Sequence, residues 1–275
     1  MRRKGNYNRG RQNRRRGPGI WTGNFLKMIA IAAMLMDHVA VVILEQGIIA
    51  VCQGDAAIIK EFFASDIGAR VLLADRVLRG IGRVSFPIVC FLLTEGFLHS
   101  GNRRNYIIRI GSCALISEVF FDLAVYDSWF YLGYQNVLFT LFVALLVLTG
   151  MRRFNRRPVL QIICIAAGSG VSWLIHSDYY IIGIILPAVF YWFRNEILFQ
   201  MMIGGILSII ESISFFGSAI LAYIPIMMYN GKRGYWNLKY FFYVFFPLQF
   251  LALYLIRQVL LKGGWLTGLI TQAGL

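Results

Sequence analysis

The chain has 275 residues, of which 58% are hydrophobic, and its 27 Lys and Arg outnumber its 13 Asp and Glu. Mean hydropathy is +0.64, and several apolar runs reach the roughly 20 residues that a membrane-spanning helix needs. That excludes an ordinary soluble domain, which would carry far more charge. The net charge of +14 lies in a basic tail and in short bridges between apolar runs, so no nucleic-acid partner is expected. The fold class is all-α, a polytopic transmembrane helix bundle. Cys52, Cys90, Cys113 and Cys164 are scattered, without a C-x-x-C pair, and read as packing residues.

In chain order, residues 1–23 open with "MRRKGNYNRGRQNRRRGPG". This basic, Gly-rich stretch is expected to be a disordered tail that sets topology from the cytoplasmic side. The bundle then runs over residues 24–260 with nine helices. They are read as Asn24–Leu44, Gly80–Leu98, Asn105–Val125, Gln135–Gly150 and Pro158–Ile175, then Tyr179–Phe193, Glu196–Ile210, Ser212–Met228 and Leu238–Ile256. Residues 46–79 are mixed and charged, and read as an extracytoplasmic loop with an amphipathic helix. Residues 261–275 read as a short C-terminal tail.

Loop charge orients the chain. The bridges "HSGNRRN", "MRRFNRRP" and "YNGKRGYWNLK" follow the second, fourth and eighth helices, on the side of the tail. The opposite bridges "YDSWFYLGYQ" and "HSD" carry no Lys or Arg. The alternation predicts a multi-pass protein of the bacterial cytoplasmic membrane with its N-terminus inside.

An ionisable side chain at the bilayer centre costs about 2.5–3.5 kcal/mol on insertion scales, so such residues usually face a protein interior. The first helix carries Asp37 and His38 well inside its apolar run. At 100° per residue, Asn24, Lys27, Ile31, Met34, His38 and Glu45 fall within about 40° of one line. Lys27 and His38 are then about 16 Å apart along the axis, and Asp37 sits about 100° round from His38. The pair reads either as interhelical hydrogen-bonding glue or as a base with an orienting carboxylate in a dry cleft.

Further along, Arg83 and Ser85 fall at the outer end of the second helix, and Glu95 and His99 at its inner end, where two ligands do not make a metal site. Arg103, Arg104, Tyr106 and Arg109 gather at the inner mouth, either as topology determinants or as a phosphate clamp. Glu118 and Asp122 share a helix face one turn apart. Asn136 and Asp178 fall at the same outer level, so all four are expected to converge on His38.

"LKMIAIAAMLMDHVA", "GRVSFPIVCFLLTEGFLHSGNRRNYIIRI", "SEVFFDL", "QNVLFTL" and "FFYVFFPLQFLALYLI" together resemble the TraX family. Its namesake N-acetylates F pilin. The resemblance runs in order from about Asn24 to Ile256. The family is distantly similar to membrane acyltransferases that use a His of an early helix and cytoplasmic acyl-CoA. It therefore implies His38 as catalytic base and acetyl-CoA as donor, held by Lys27, Arg103, Arg104, Tyr106 and Arg109. Relatives commonly carry Tyr-Pro-x-His in the last helix, where this chain has "FFPLQF", with Gln249 in place of the His. Gln can hydrogen-bond but cannot shuttle a proton near neutral pH.

The resulting expectation is a membrane acetyltransferase acting on an amine or hydroxyl of pilin or an envelope glycan. Asp37, Glu118 or Asp122 would hold the imidazole of His38. Asn136 would donate to the oxyanion, and Arg83, Asp178 and Gln249 would contact substrate. Two rivals use the same residues: a proton-coupled transporter or flippase, with the buried acids as a relay, and a non-catalytic membrane scaffold.

Overall fold

The side-chain hydroxyl of Thr22 accepts from the amide of Phe25 at 3.4 Å and starts the first helix. Helix α1 spans Gly23–Val39, passes through a π-helical turn at Ala40–Glu45, and continues as α2, Gln46–Val51. The computed structural model describes residues 19–235 and 241–274. The basic tail expected over 1–23 therefore lies outside the described residues up to residue 18.

The stretch expected to be an extracytoplasmic loop, 46–79, is helical. Asp55 caps α3, Ala56–Ala64, accepting from the amide of Ala57 at 2.8 Å. Ser65 caps α4, Asp66–Arg83, accepting from the amide of Gly68 at 3.0 Å. Helix α5, Ser85–His99, follows after one residue. The charges of α4 made it look like surface, but several of them pair with α1 instead of facing water.

Helix α6, Arg103–Tyr126, is capped by Asn102 and ends at Asp127 in a left-handed conformation. Helices α7, Val137–Arg153, and α8, Pro158–Leu174, follow, then α9, Ile182–Trp192, and α10, Ile197–Glu211. The expected eighth helix is instead broken into 3₁₀ turns at Ile213–Phe215 and Ser218–Ala222 and a short α11, Tyr223–Met227. Phe216 and Gly217 between them are both left-handed, at φ 57° and 68°, which no helix continues through. Helix α12 covers Phe241–Lys262, and the expected C-terminal tail forms α13, Trp265–Gln272. Ile270 of α13 is buried with Ile48, Cys52 and Phe62 in a small second core.

Among the described residues, three helical runs are long and apolar enough to cross a membrane: Gly23–Val51, Asp66–His99 and Phe241–Lys262. Helices α8, α9 and α10 are apolar but shorter. The nine-helix expectation thus gives way to a bundle of fewer long runs and more short pieces. Close packing rests on small residues, as membrane helices require; a Cβ on Gly168 would lie 2.2 Å from Val147.

The helices alternate between two ends. At one end the amides of Gly23 and Asn24 donate to the carbonyls of Lys232 and Arg233, at 2.8 and 3.0 Å. At the other, the amide of Gln135 donates to the carbonyl of His176 at 3.1 Å. There too Arg257, with no exposed surface, pairs with Asp127 and donates to the Ala124 carbonyl at 3.0 Å. The basic bridges, the third of them as far as residue 235, fall at the first end. All four cysteines carry free thiols.

Helices α1 and α4 touch at Gly82, where an added Cβ would lie 2.3 Å from the Cβ of Asp37. At Gly80 the nearest atom is the Ser218 hydroxyl at 3.8 Å. Gly→Ala inside a helix is intrinsically favourable by roughly 1 kcal/mol. Gly80→Ala should therefore leave the thermal midpoint of the detergent-purified protein unchanged or raised. Gly82→Ala should lower it by several degrees, because the contact is with the base of a side chain that cannot swing away.

Candidate functional site

His38 is the penultimate residue of α1, directly before the π turn. π-Turns are rare inside α-helices and occur often at functional sites. Here the turn has a measurable consequence. One inserted residue shifts the helical register by about 100°, which moves Glu45 off the line of His38 and onto that of Asp37. Both Asp37 and Glu45 accordingly meet the same guanidinium: Arg79 lies 3.1 Å from the carboxylate of Asp37 and 3.3 Å from that of Glu45.

The two neighbours Asp37 and His38 face different helices. Asp37 faces α4, where Arg83 also approaches it, at 3.6 Å. Arg83 in turn donates to Glu211 at 3.1 Å and to the Tyr179 hydroxyl at 3.5 Å. Both guanidiniums lie over the ring of Phe215, at 5.7 and 5.1 Å. The imidazole of His38 faces α12, with its ring centroid 4.3 Å from that of Phe250 and 6.1 Å from that of Phe246. Asp37 is thus part of an ion-paired cluster and is not hydrogen-bonded to the imidazole.

Gln249 lies beside His38. Its amide nitrogen donates only to the sulfur of Met34, at 3.4 Å. The Nδ1 of His38 and the Oε1 of Gln249 are both buried without a hydrogen-bond partner. Buried polar atoms are nearly always paired, so two orphans side by side leave a hydrogen bond to be completed, by each other or by a ligand or water.

His38 lines a partly open pocket of about 30 Å³, which Gln249 does not reach. Its polar lining residues are Asp37, His38, Ser85, Asp178 and Tyr179. The rest is apolar, including Val89, Leu141 and Phe246. Tyr179 is held in a strained left-handed conformation, φ 62°, and stacks on Phe86 at 3.5 Å. Strain of this kind costs about 1–3 kcal/mol and clusters at functional sites. Asp178 lies outside the helices; it accepts from the Tyr134 hydroxyl at 2.7 Å and from the Tyr179 amide at 3.0 Å. Its burial pushes the carboxyl above the usual range, and the Tyr134 hydrogen bond opposes that rise.

Glu118, Asp122 and Asn136 are not brought to the imidazole. The Asn136 amide side chain donates to the Glu118 carboxylate at 2.5 Å and to the Ala114 carbonyl at 3.0 Å. Its backbone amide donates to the same carboxylate at 3.1 Å, and its carbonyl oxygen accepts from the Leu138 amide at 2.9 Å. Asn136 therefore caps α7 and clamps it to α6, and no donor is left for an oxyanion. Asp122 accepts from the Tyr131 amide at 2.8 Å and ties down the loop after α6. One oxygen of each carboxylate, Oε1 of Glu118 and Oδ1 of Asp122, stays buried and unpaired.

The basic residues lie at the other end. Arg103 donates to the Phe97 carbonyl at 3.2 Å and lies over the Phe97 ring at 5.5 Å. Arg104 is exposed, Tyr106 packs against Gly96, and the Nε of Arg109 is buried and unpaired. Lys27 sits beside Arg233 at the start of α1. His99 Nδ1 lies 3.8 Å from the Glu95 carboxylate, and among the described residues no group of three or more potential metal ligands occurs.

Sequence reasoning gave no role to Arg79, Tyr179 and Glu211. Arg79 and Glu211 were visible as charges at the edges of apolar runs, and Tyr179 only as a neighbour of Asp178 at the outer level. Because the Asn136 clamp is structural, Asn136→Ala should lower the thermal midpoint sharply, each lost hydrogen bond to a buried partner costing about 1–3 kcal/mol. Turnover per folded molecule should change little, and a selective loss of turnover with an unchanged midpoint would reverse this assignment.

Two comparisons place the chain among known proteins. The family model described as TraX protein matches residues 22–257. The probable fimbrial assembly protein FimC, serogroup H1, of Dichelobacter nodosus is 30% identical over 249 residues, covering 82% of this chain and 91% of that protein. No solved structure matches. The match covers both the His38 helix and the Gln249 helix, and the chain belongs to the TraX family.

Proposed function

We propose that the protein is a multi-pass acetyltransferase of the bacterial cytoplasmic membrane. It moves an acetyl group from acetyl-CoA to an amine or hydroxyl of an envelope acceptor, a pilus subunit first among the candidates. The observation that carries this reading is His38, its Nδ1 buried and unpaired next to Gln249, lining a small pocket with Asp37, Ser85, Asp178 and Tyr179. Membership of a family whose namesake acetylates pilin supports the chemistry, and the fimbrial relative supports the acceptor class.

In this reading His38 removes the acceptor proton as the acceptor nitrogen or oxygen adds to the thioester carbonyl. The carbon–sulfur bond then breaks, and the leaving sulfur takes the proton from the imidazolium, so that free CoA and acetylated acceptor leave with no net proton change. The Tyr179 hydroxyl, polarised by Arg83, donates to the oxyanion in place of Asn136. Asp37 acts through the fixed charge cluster and not as the partner of His38. The donor's phosphates engage the basic end, Lys27, Arg103, Arg104 and Arg109, with Tyr106 beside them, and its pantetheine arm spans the bundle toward His38.

The ion-paired cluster would equally suit a proton-coupled transporter, because Asp37, Arg79 and Glu45 run from the cavity to a partly exposed carboxylate. Gradient-driven uptake into liposomes without CoA release would favour that reading. Acyl transfer predicts instead that His38→Ala stays folded and loses about 10²–10⁴-fold in acetyl-CoA turnover. Full activity in that variant would remove His38 from the chemistry. Arg103→Ala with Arg104→Ala should raise the apparent KM for acetyl-CoA more than it lowers kcat, the mark of binding remote from the reacting carbonyl.

A further inference from the structure

The His38 ring lines the pocket, while its Nδ1 is buried without a hydrogen-bond partner. The Gln249 amide lies within hydrogen-bonding reach of the ring, yet no aligned bond joins them and its Oε1 is orphaned too. Resting on the acetyltransferase reading above, we infer that Gln249 is a positioning residue for His38. Its Oε1 accepts a hydrogen bond from Nδ1–H and holds the ring in one tautomer, so that the bare Nε2 is the atom that removes the acceptor proton.

Met34 decides which end of the amide faces the ring. It lies four residues before His38 on α1, one turn away. A thioether sulfur accepts weakly and cannot donate. The amide nitrogen of Gln249 therefore belongs on that sulfur, where it lies at 3.4 Å. The oxygen is then the end left over, and an amide oxygen only accepts. A bare Nδ1 beside it would set lone pair against lone pair, so the ring proton sits on Nδ1. The bond made by one ring nitrogen fixes the role of the other. Phe250 and Phe246 brace the ring, and Met34 and Gln249 are both buried. A carboxylate usually sets the tautomer of a catalytic His. Here Asp37 is committed to Arg79 and Arg83, and Glu118 to Asn136. A neutral amide takes that place. In the transfer step Nε2 gains the acceptor proton and passes it to the leaving sulfur, while the Nδ1 proton stays on Gln249 throughout.

Solid-state NMR of the full chain in lipid bilayers, with isotope-labelled histidine, reads the tautomer directly. The chain has 3 His, and His38→Ala identifies the His38 signals by their loss. At about pH 8.5, two units above the free imidazole value, the ring is neutral. Its protonated nitrogen should then correlate with Cγ, as Nδ1 does, and not with Cδ2, as Nε2 does. Gln249→Leu removes the acceptor, and a ring protonated on Nε2 should appear. Met34→Leu, a volume-conserving exchange that cores tolerate, frees the amide to turn and should give both tautomers.

In membrane vesicles that retain the native acceptors, Gln249→Leu should lower kcat by roughly 10–100-fold, the usual cost of losing an orienting partner. The apparent KM for acetyl-CoA should stay unchanged, because Gln249 acts through His38 and not on the donor. A wild-type ring protonated on Nε2 would overturn the inference. So would Nδ1–H persisting unchanged in a folded Gln249→Leu variant. The thermal midpoint shows which variants fold, and the wild-type spectrum decides even if neither does. The spectrum needs no turnover. The expected tautomer in a protein that releases no CoA would uphold the pairing of Gln249 with His38 and overturn the acetyltransferase reading alone.

Discussion

The contact of Asp37 with Arg79 and Arg83 underlies the rest of the structure. A carboxylate inside an apolar helix is expensive to desolvate, by several kcal/mol even after relaxation. It is retained here because α4 crosses α1 at Gly82, close enough for two guanidiniums to reach one oxygen. The same guanidiniums reach on to Glu45 and Glu211, so α1, α4 and the end of α10 are held by shared charges. Such a cluster is weak evidence for net stability, but its shared pairings, two cations on Asp37 and a second carboxylate on each cation, fix how the three helices meet.

That geometry frees the neighbouring residue. With Asp37 held toward α4, the next side chain along the helix, about 100° round, is turned toward α12. His38 therefore lies against Phe246 and Phe250 beside Gln249, away from any carboxylate in hydrogen-bonding contact. The π turn that follows completes the separation by returning Glu45 to the charged face. A helix without that turn would have left Glu45 on the line of His38.

Two polar assemblies sit within the bundle, and they differ in how fully they are satisfied. Around Asn136 every polar atom of the side chain is hydrogen-bonded, and the assembly fastens two helices. Around His38 and Gln249 buried atoms are left unpaired beside an open volume and a strained tyrosine. Unpaired buried atoms are costly unless something completes them, and they occur in both assemblies, at Glu118 Oε1 as at His38 Nδ1. What separates the candidate site from the scaffold is that His38 also lines an open volume beside the strained Tyr179.

The sequence alone determined the all-helical membrane class and the alternation of basic and uncharged bridges, which follow from local composition, and it carried the motifs by which the chain resembles its family. It also marked Asp37 and His38 as residues whose cost in hydrocarbon calls for a partner. It also located Asn136, Asp178 and Gln249 as polar residues needing an explanation. Tertiary structure alone decided which explanation each received. The charged stretch 46–79 looked like a loop with an amphipathic helix because the partners of Arg79, Asp37 and Glu45, are 34 or more residues away in the chain. Glu118 looked catalytic until Asn136 was found bonded to it, a pairing across a loop that periodicity cannot register. The break at Phe216 and Gly217 and the π turn at Ala40–Glu45 depend on backbone angles set by packing, and apolar patterning carries no trace of either. Helical periodicity reports which face a residue occupies; what lies opposite that face is a property of the packed bundle.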